Sequence, residues 1–232
     1  MHMSKYIISG LLCCVLVLNG SAQTETVVDS LKIPVKFGLR LGADLTSLGR
    51  TTLGNDFKGF EVLGDYRLTE RLYVAGELGS AEKKIDEPNI NFSSSGQYLK
   101  VGGDFNLYRN WEGMDNMIYS GMRLGISKFS QTVHSYTSYT TNQTWPSSTH
   151  EVNSTYDGLS AMWLELQFGI KVELIPNLFG YFNLQLKRLV SNKSDSRVEN
   201  LYIPGFNRTY EDGLIGAGLS YGLAYRISFY EK

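Results

Sequence analysis

The chain carries two histidines beyond its first few residues, His134 and His150, and these are its clearest candidates for chemistry. Ser135 and Ser138 follow the first of them, and Glu151 follows the second. A hydroxyl, an imidazole and a carboxylate can together perform acyl transfer when the imidazole reaches the hydroxyl. Neighbouring residues of a strand point to opposite faces, so His134 and Ser135 are poorly placed to cooperate. We therefore expect a solvated histidine here and no catalytic residue.

The sequence supports metal or thiol chemistry even less than acyl transfer. Zinc sites are built from clustered histidine and cysteine ligands. Both cysteines, Cys13 and Cys14, lie in an apolar stretch near the start of the chain, far from either histidine. We expect no metal site, no disulfide and no cofactor.

The charged residues follow a regular pattern that indicates ion pairing. They recur at alternate positions of segments whose intervening residues are apolar, and the two signs nearly balance. Charges buried in a protein persist only when they are paired and hydrogen-bonded. The predicted interior charge network consists of Lys36, Arg40, Asp44, Glu61, Asp65, Arg67, Arg71, Glu77, Lys100, Asp104, Arg123, Glu165, Lys171, Glu173, Lys187 and Arg226.

Alternation with a period of two is the pattern of a β-strand. In the stretch VKFGLRLGADL, Phe37, Leu39 and Leu41 share one face, whereas Lys36 and Arg40 share the other. About eight segments of roughly ten residues alternate in this way, which is the length that a tilted membrane strand needs. These segments are 35–45, 60–68, 71–79, 98–108, 118–126, 162–174, 181–187 and 215–229. The sequence predicts an all-β fold, an antiparallel up-and-down transmembrane β-barrel of about eight strands.

The connections between these segments alternate in length. The short ones are 69–70, 110–116 and 175–177, and the long polar ones are 47–56, 84–95, 131–155 and 191–212. Short periplasmic turns and long extracellular loops are the layout of an outer-membrane barrel, and an even strand number puts both termini on the periplasmic side. We expect the barrel to cover residues 35–232.

The charges and glycines indicate which face of the strands meets lipid. An arginine or lysine that faces lipid at mid-depth costs about 2–4 kcal/mol, so the charged face should point inward. Glycines such as Gly125 and Gly169 fall on that face. Glycine weakens a strand unless a close neighbour requires it, and the narrow interior of a barrel of about eight strands supplies such neighbours. The alternative is a soluble, lipocalin-like barrel with an apolar interior.

The first residues are typical of an export signal. Lys5 precedes an apolar run over 7–18, and Gly20 and Ala22 provide the small residues of a cleavage site. The run is shorter than the ~20 residues that a membrane-spanning helix needs. We expect a signal peptide over 1–22, cleaved after Ala22, and a periplasmic lead over 23–34.

The segment from Ser220 to Phe229 resembles the C-terminal assembly signal of Gram-negative outer-membrane proteins. A polar residue, a glycine, and aromatic and apolar residues two apart stand at the matching positions, which are Ser220, Gly222, Tyr225, Ile227 and Phe229. The chain departs from the family pattern because Tyr230, Glu231 and Lys232 follow. The resemblance to small OmpA/OmpX-type barrels, in an uncharacterised family, implies outer-membrane lipid and the barrel-assembly machinery as partners.

For function, a filled monomeric barrel without a wide pore is expected, with a structural or surface-interaction role. The segment 131–155 is rich in Tyr, Ser and Thr, which suits a surface glycan or protein ligand. The net charge of −1 gives no attraction for nucleic acid. Some barrels similar to this one are lipid A deacylases, so a lipid-modifying enzyme is one alternative. A soluble periplasmic carrier is another.

Overall fold

The structure is a computed structural model, and it describes residues 36–108, 115–138, 148–194, 199–208 and 214–231. The predicted signal peptide and periplasmic lead lie outside these residues. The described secondary structure elements, in chain order, are β1 (Lys36–Asp44), α1 (Leu45–Leu53), β2 (Phe57–Arg67), β3 (Leu72–Glu87), β4 (Ile90–Asn106), β5 (Met117–Ser138), β6 (Ser148–Ile175), β7 (Leu178–Lys193), β8 (Tyr202–Ile203), β9 (Asn207–Arg208) and β10 (Ile215–Glu231).

Eight of the strands form one closed antiparallel barrel in the order β1-β10-β7-β6-β5-β4-β3-β2. Each strand pairs with its neighbours along the chain, and β10 closes the ring against β1 with Asp44 opposite Gly222 and Arg40 opposite Arg226. The all-β, up-and-down barrel fold predicted from the alternation is therefore confirmed. Lys36 of β1 lies opposite Glu231 of β10, at the end of the barrel that carries the short turns.

Two of the predicted long loops are largely strand. Over 84–95, β3 and β4 stay paired as far as Glu87 opposite Ile90, which leaves only Pro88 and Asn89 in the turn. Over 131–155, β5 and β6 stay paired up to Ser138 opposite Ser148. In 131–138 and 148–155 the residues are mostly Ser, Thr, Tyr and Val, and β-branched and aromatic side chains favour strands even where the apolar alternation has ended. The tip, residues 139–147, lies outside the described residues.

The predicted loop 47–56 contains a helix. Asp44 caps α1, since its carboxylate accepts hydrogen bonds from the Thr46 amide at 2.8 Å and from the Ser47 hydroxyl at 2.9 Å. At the other end, the Gly54 amide donates to the Arg50 carbonyl at 3.1 Å. Side-chain caps of this kind satisfy amides that have no partner within the helix. Within the described residues, no helix has both the length and the apolar character that crossing a membrane requires.

The two faces of the barrel differ sharply in polarity. Large apolar side chains point outward around the barrel and form what we call the apolar belt, whose members are each 37–60% exposed. They include Leu41, Phe60, Leu78, Leu99, Val101, Ile118, Met122, Leu124, Ile126, Leu164, Leu166, Phe168, Ile170, Leu184, Leu186, Leu219, Leu223 and Ile227. The residues between them on the same strands point inward, and most of the charged ones are buried.

Candidate functional site: the barrel interior and its outer rim

The interior nearest the short turns contains a network of ion pairs, with the buried rings of Tyr73, Tyr119 and Phe179 packed against its cations. Lys100 lies between two carboxylates, with its Nζ 2.6 Å from Glu77 Oε2 and 3.3 Å from Glu61 Oε2. Glu77 also accepts hydrogen bonds from Arg123 Nε at 3.3 Å and from Gln167 Nε2 at 2.9 Å. One lysine and one carboxylate therefore join strands β2, β3, β4, β5 and β6 across the interior.

A second group continues this arrangement. Lys171 Nζ lies 2.7 Å from Asp65 Oδ2 and 3.5 Å from Asp104 Oδ2. Arg40 Nε is 2.6 Å from Asp65 Oδ1, and Arg123 Nη1 is 2.7 Å from Asp104 Oδ1. Because Arg123 contacts Glu77 as well, the two groups form one connected network. A connected set of this kind lets each buried charge share more than one partner.

A third group closes the short-turn end of the barrel. Arg226 Nη2 is 3.0 Å from Glu173 Oε1, and its Nη1 pairs with Asp115. Arg67 Nη1 reaches the same Asp115 at 3.2 Å. Sequence reasoning missed Asp115, because it lies in a turn where no alternation marks its direction. Only its position beside a strand that begins at Met117 could have suggested it.

The structure brings most of the predicted network residues together inside the barrel. The buried ones are Arg40, Asp44, Glu61, Asp65, Arg67, Glu77, Lys100, Asp104, Arg123, Glu165, Lys171, Lys187 and Arg226. Lys36 and Glu173 are half-buried near the rim. Arg71 does not join them, and its placement in the interior was wrong. It is exposed in the turn before β3, because the ladder starts one residue later, at Leu72.

Aromatic side chains fill the space that inward-facing glycines leave. Trp163 of β6 lies directly opposite Gly125 of β5, and a Cβ on that glycine would be 2.2 Å from the indole ring. Tyr119 covers Gly169 in the same way, with 2.7 Å between such a Cβ and the ring. No side chain beyond hydrogen fits at these two positions without displacing a ring.

The outer half of the interior is apolar, which the sequence analysis did not predict. Trp163 is fully buried and meets the ring of Phe206 edge-on, with 6.0 Å between ring centroids. The indole Nε1 donates to Glu165 at 3.2 Å, which links this cluster to the charged half. The cluster consists of Phe57, Ala81, Tyr98, Phe129, Leu159, Ala161, Trp163, Leu189, Ile203 and Phe206.

Two members of that cluster belong to a connection predicted to be an exposed loop. Within 191–212, the described part 199–208 carries β8 and β9 and folds into the mouth of the barrel; we call it the plug. Ser94 Oγ donates to the Tyr202 carbonyl at 2.9 Å, and Lys187 Nζ donates to the Gly205 carbonyl at 2.8 Å. Burial raises the pKa of the Tyr202 phenol to about 12, so it stays neutral at physiological pH.

The plug is apolar enough to be buried because Tyr202, Ile203, Pro204 and Phe206 occur close together. Gln131 holds its start, donating to the Glu199 carbonyl at 3.1 Å and accepting from the Leu201 amide at 2.9 Å. The apolar run was the signal in the sequence that could have revealed it.

Two of the cavities lined by described residues lie next to this filling. One of about 250 Å³ lies at the mouth between α1, the plug and β10, and its lining includes Arg50, Glu61, Tyr98, Gln185 and Lys187. The other, of about 10 Å³, lies among the ion pairs and has room for about one water molecule. Among the described residues, no group of three or more His, Asp or Glu side chains is arranged to hold a metal ion.

The histidines lie on the outer rim, away from this interior. His134 Nε2 is 3.1 Å from Ser93 Oγ, and its Nδ1 is 3.4 Å from Asn153 Oδ1. The neighbouring Ser135, and Ser138 and Glu151, are not its partners in the described hydrogen bonds. The His150 ring contacts the Tyr136 ring in a tilted arrangement, with 5.4 Å between ring centroids.

The five residues of the assembly-signal pattern all lie on β10. Ser220 and Gly222 point inward, whereas Tyr225, Ile227 and Phe229 point outward with exposed side chains. Reading of this strand by the assembly machinery stays a prediction.

The fold and the filled interior define the class of this protein, a closed eight-stranded antiparallel barrel with an inward-facing charge network. The chain matches the family described as "Domain of unknown function (DUF6048)" over residues 3–232, and it belongs to that family. Among curated proteins, none matches the chain.

Solved structures of other small barrels are similar to this chain. Ail, the attachment invasion locus protein of Yersinia pestis, shares 11% identity at a TM-score of 0.41, covering 84% of this chain and 100% of that one. Neisserial surface protein A shares 10% identity at a TM-score of 0.42, with 84% and 100% covered. A major outer membrane protein from Thermus thermophilus shares 18% identity at a TM-score of 0.37, covering 83% of this chain and 98% of that one. At these values the likeness assigns no activity.

Proposed function

We propose that this protein is an integral outer-membrane β-barrel, closed to large solutes, whose extended outer end interacts with molecules at the cell surface. The observation that carries the proposal is the partition of side chains between the two faces of the barrel. Outward positions of the apolar belt are 37–60% exposed, whereas Arg40, Lys100 and Glu165 inside are at most 3% exposed.

This partition is the reverse of the one expected for a barrel that is soluble in water. A soluble, lipocalin-like barrel would hide the belt and expose the charges, because burial of an unpaired ion is costly and burial of apolar surface is favourable. In a membrane, the same arrangement places hydrocarbon against lipid and leaves the ions paired in the interior. The belt on β5, from Ile118 to Ile126, then has the number of residues, about 9–11, that a membrane strand tilted by about 45° needs.

The filled interior supports a role other than transport. The ion pairs leave a cavity of only about 10 Å³ in their midst, and the plug packs into the outer mouth. A barrel of about eight strands has just enough interior width for side chains. The proposed function is therefore structural or interactive, and no path for a large solute is part of it.

The elongated outer end supports the interactive part. β5 and β6 continue past the apolar belt as a paired ladder as far as Ser138 and Ser148. On one face of this ladder Thr132 lies opposite Thr155, and Tyr136, four residues further along β5, lies opposite His150. Tyrosine beside hydroxyl side chains offers both flat apolar contact and hydrogen bonds to a glycan or protein ligand.

Single introduced cysteines test the topology. Leu184→Cys lies in the apolar belt, Gln185→Cys beside it points inward, and Val152→Cys lies on the outer end of β6. In intact cells, a membrane-impermeant maleimide is expected to label only the variant at Val152. With a spin label in vesicles, lipid-soluble oxygen should broaden the signal at Leu184 but not at Gln185.

Both native cysteines lie in the predicted signal peptide, so a processed chain would present only the introduced thiol. Aqueous labelling at Leu184 together with recovery of the protein in the soluble fraction would support the soluble barrel instead. Protection of Val152 in intact cells would contradict the proposed orientation.

The contacts of His134 favour a second candidate function, hydrolysis of a lipid ester at the outer rim. Ser93, His134 and Asn153 are hydrogen-bonded in the order of a nucleophile, a base and an orienting amide. If this trio acts, Ser93→Ala and His134→Ala each abolish release of fatty acid from lipid A in reconstituted vesicles, whereas Ser95→Ala on the same strand does not. Unchanged lipid after incubation with the native protein removes this candidate.

A further inference from the structure

Three basic side chains lie on the outward face at the outer edge of the apolar belt: Lys128 and Lys193 lie just above it, and Arg188 lies level with its outermost residue on β6, Leu164. We call them the basic patch. They are Lys128 on β5 and Arg188 and Lys193 on β7, and all three are exposed. Lys128 follows the belt residue Ile126 two positions along β5, so it points the same way as the belt. The patch therefore lies where the hydrocarbon-facing surface gives way to polar surface.

The register of the sheet brings the three side chains to one area. Ser160 of β6 pairs with Lys128 on one side and with Lys193 on the other. Two strand spacings separate these lysines, which is about 10 Å. Arg188 lies opposite Leu164, four residues from Ser160 and roughly 13 Å along the strand. Arginine and lysine stems of this length can reach a headgroup that lies between them.

Within the described residues, the basic patch has no acidic partner. Among the residues that the structure describes, none forms an ion pair with Lys128, Arg188 or Lys193. The nearest outward carboxylate along β6 belongs to Asp157, which is exposed and also makes no described ion pair. Three unpaired cations at the edge of a membrane-facing surface would attract anionic groups there.

The opposite wall of the barrel is different. Lys58 of β2 lies opposite Glu82 of β3, and Lys84 Nζ is 3.7 Å from the Glu82 carboxylate. Lys83 pairs with Asp56. The exposed lysines of β2 and β3 thus have acidic neighbours, whereas Lys128, Arg188 and Lys193 have no ion-pair partner among the described residues. Positive charge is concentrated on one side of the barrel.

We propose that the basic patch binds the phosphate groups of a phosphorylated glycolipid in the outer leaflet. This inference rests on the proposed function, because the patch meets lipid headgroups only if the apolar belt spans the membrane. A headgroup with phosphates at the two ends of a sugar backbone fits three cations spread over about 10 Å across the strands and about 13 Å along them better than a single small phosphate does. Arginine adds a planar fork that binds phosphate through two hydrogen bonds.

Binding of lipid A to the full chain in phosphatidylcholine nanodiscs tests the proposal. The probes are lipid A with two phosphates, the same lipid after enzymatic dephosphorylation, and phosphatidylglycerol, and bound lipid is counted by native mass spectrometry. The patch variant carries Lys128→Gln, Arg188→Gln and Lys193→Gln. The control carries Lys58→Gln and Lys84→Gln, which removes the exposed outward lysines of the other wall.

Each cation near an anionic surface contributes about a fivefold factor in affinity, so the patch variant should bind phosphorylated lipid A about a hundredfold more weakly. The control variant should bind within a few fold of the native chain. Equal loss in both variants, or equal binding of dephosphorylated lipid A or phosphatidylglycerol by the native chain, would overturn the proposal. A native chain that fails to insert into the bilayer would overturn the membrane assignment and the patch together, whereas insertion without preference overturns the patch alone.

Discussion

Near the short turns, Lys100, Lys171 and Arg123 pair with carboxylates across the interior, whereas near the outer mouth Trp163 and Phe206 pack against each other without a charged contact between them. Both halves fill a tube of the same width. The charged half draws most of its contacts from the strands, so the barrel itself largely completes it. The apolar half needs the plug, a segment that must fold back into the mouth. The ion pairs connect the strands of the wall, and the plug closes the outer mouth of the barrel.

The largest effect is expected in the charged half. Glu77→Ala removes the carboxylate that accepts from Lys100, Arg123 and Gln167, and it leaves buried cations short of a partner. Breaking a buried ion pair from one side costs about 3–5 kcal/mol. The free energy of unfolding, measured by urea titration in phosphatidylcholine vesicles, should fall by that amount.

The matched control is Glu82→Ala on the same strand. Glu82 pairs with Lys84 at the surface, where exposed ion pairs contribute about 1 kcal/mol or less. Equal losses for the two variants would show that the interior charges do not act as a buried network.

A somewhat smaller effect is expected from the plug. Phe206→Ala removes a fully buried ring from the outer cluster, and such truncations cost about 3–5 kcal/mol when the surroundings cannot relax. We expect about 3 kcal/mol because the plug can shift in the open mouth. Phe206→Leu, which keeps most of the volume, should lose less.

The same variant separates the two halves in a second measurement. If the ion pairs alone close the tube, single-channel conductance of Phe206→Ala in a planar bilayer should stay at the level of the native protein. A stable open channel in this variant would show that the plug, and not the charge network, is the barrier.

A smaller loss is expected from overpacking where the two halves meet. Gly125→Ala places a methyl group within 2.2 Å of the Trp163 ring, and forcing the ring aside costs about 1–3 kcal/mol. Gly76→Ala is the control, because its methyl group would meet only the Lys100 carbonyl, at 3.6 Å. In urea titration, the free energy of unfolding should fall more for Gly125→Ala than for Gly76→Ala.

The smallest effect on stability is expected at the ion pair of Lys83 on β3 with Asp56 in the loop before β2. A hydrogen bond from Lys83 lowers the pKa of the Asp56 carboxyl below its ordinary value of 3.8. A depressed pKa in the folded state means that the stabilisation is present above 3.8 and is lost as the pH falls through the folded value. Lys83→Met should raise the pKa of Asp56, measured by NMR titration of its carboxyl carbon. An unchanged pKa would show that the pair is absent in solution.

The sequence predicted the wall of the barrel far better than its filling. Alternation over segments such as 162–174 marks which side chains point inward, because a strand has a period of two. The same rule placed Lys100, Glu77 and Asp104 on the inward face, although it could not say which carboxylate each cation would meet. That choice depends on strand register and tilt, which are properties of the closed sheet.

The errors have physical causes as well. The polar residues of 84–95 and 131–155 predict loops, but a ladder outside lipid no longer needs apolar side chains on its outward face. The plug was missed because alternation says nothing about a segment whose burial depends on contacts distant along the chain. Arg71 stands at a position where the alternation of β3 predicts an inward side chain, but it comes just before Leu72, the first paired residue, and is exposed.

The pairing of β10 with β1 has a consequence for the making of the protein. A chain that has emerged only as far as β7 would present two open sheet edges, on β1 and β7, and unpaired edges of this kind invite contact with other strands. Closure must wait for residues 215–231, whatever order the other strands follow. A chaperone that shields the unfolded chain would have to remain bound until the final strand is available. A chain truncated before Ile215 should aggregate instead of forming a shorter barrel.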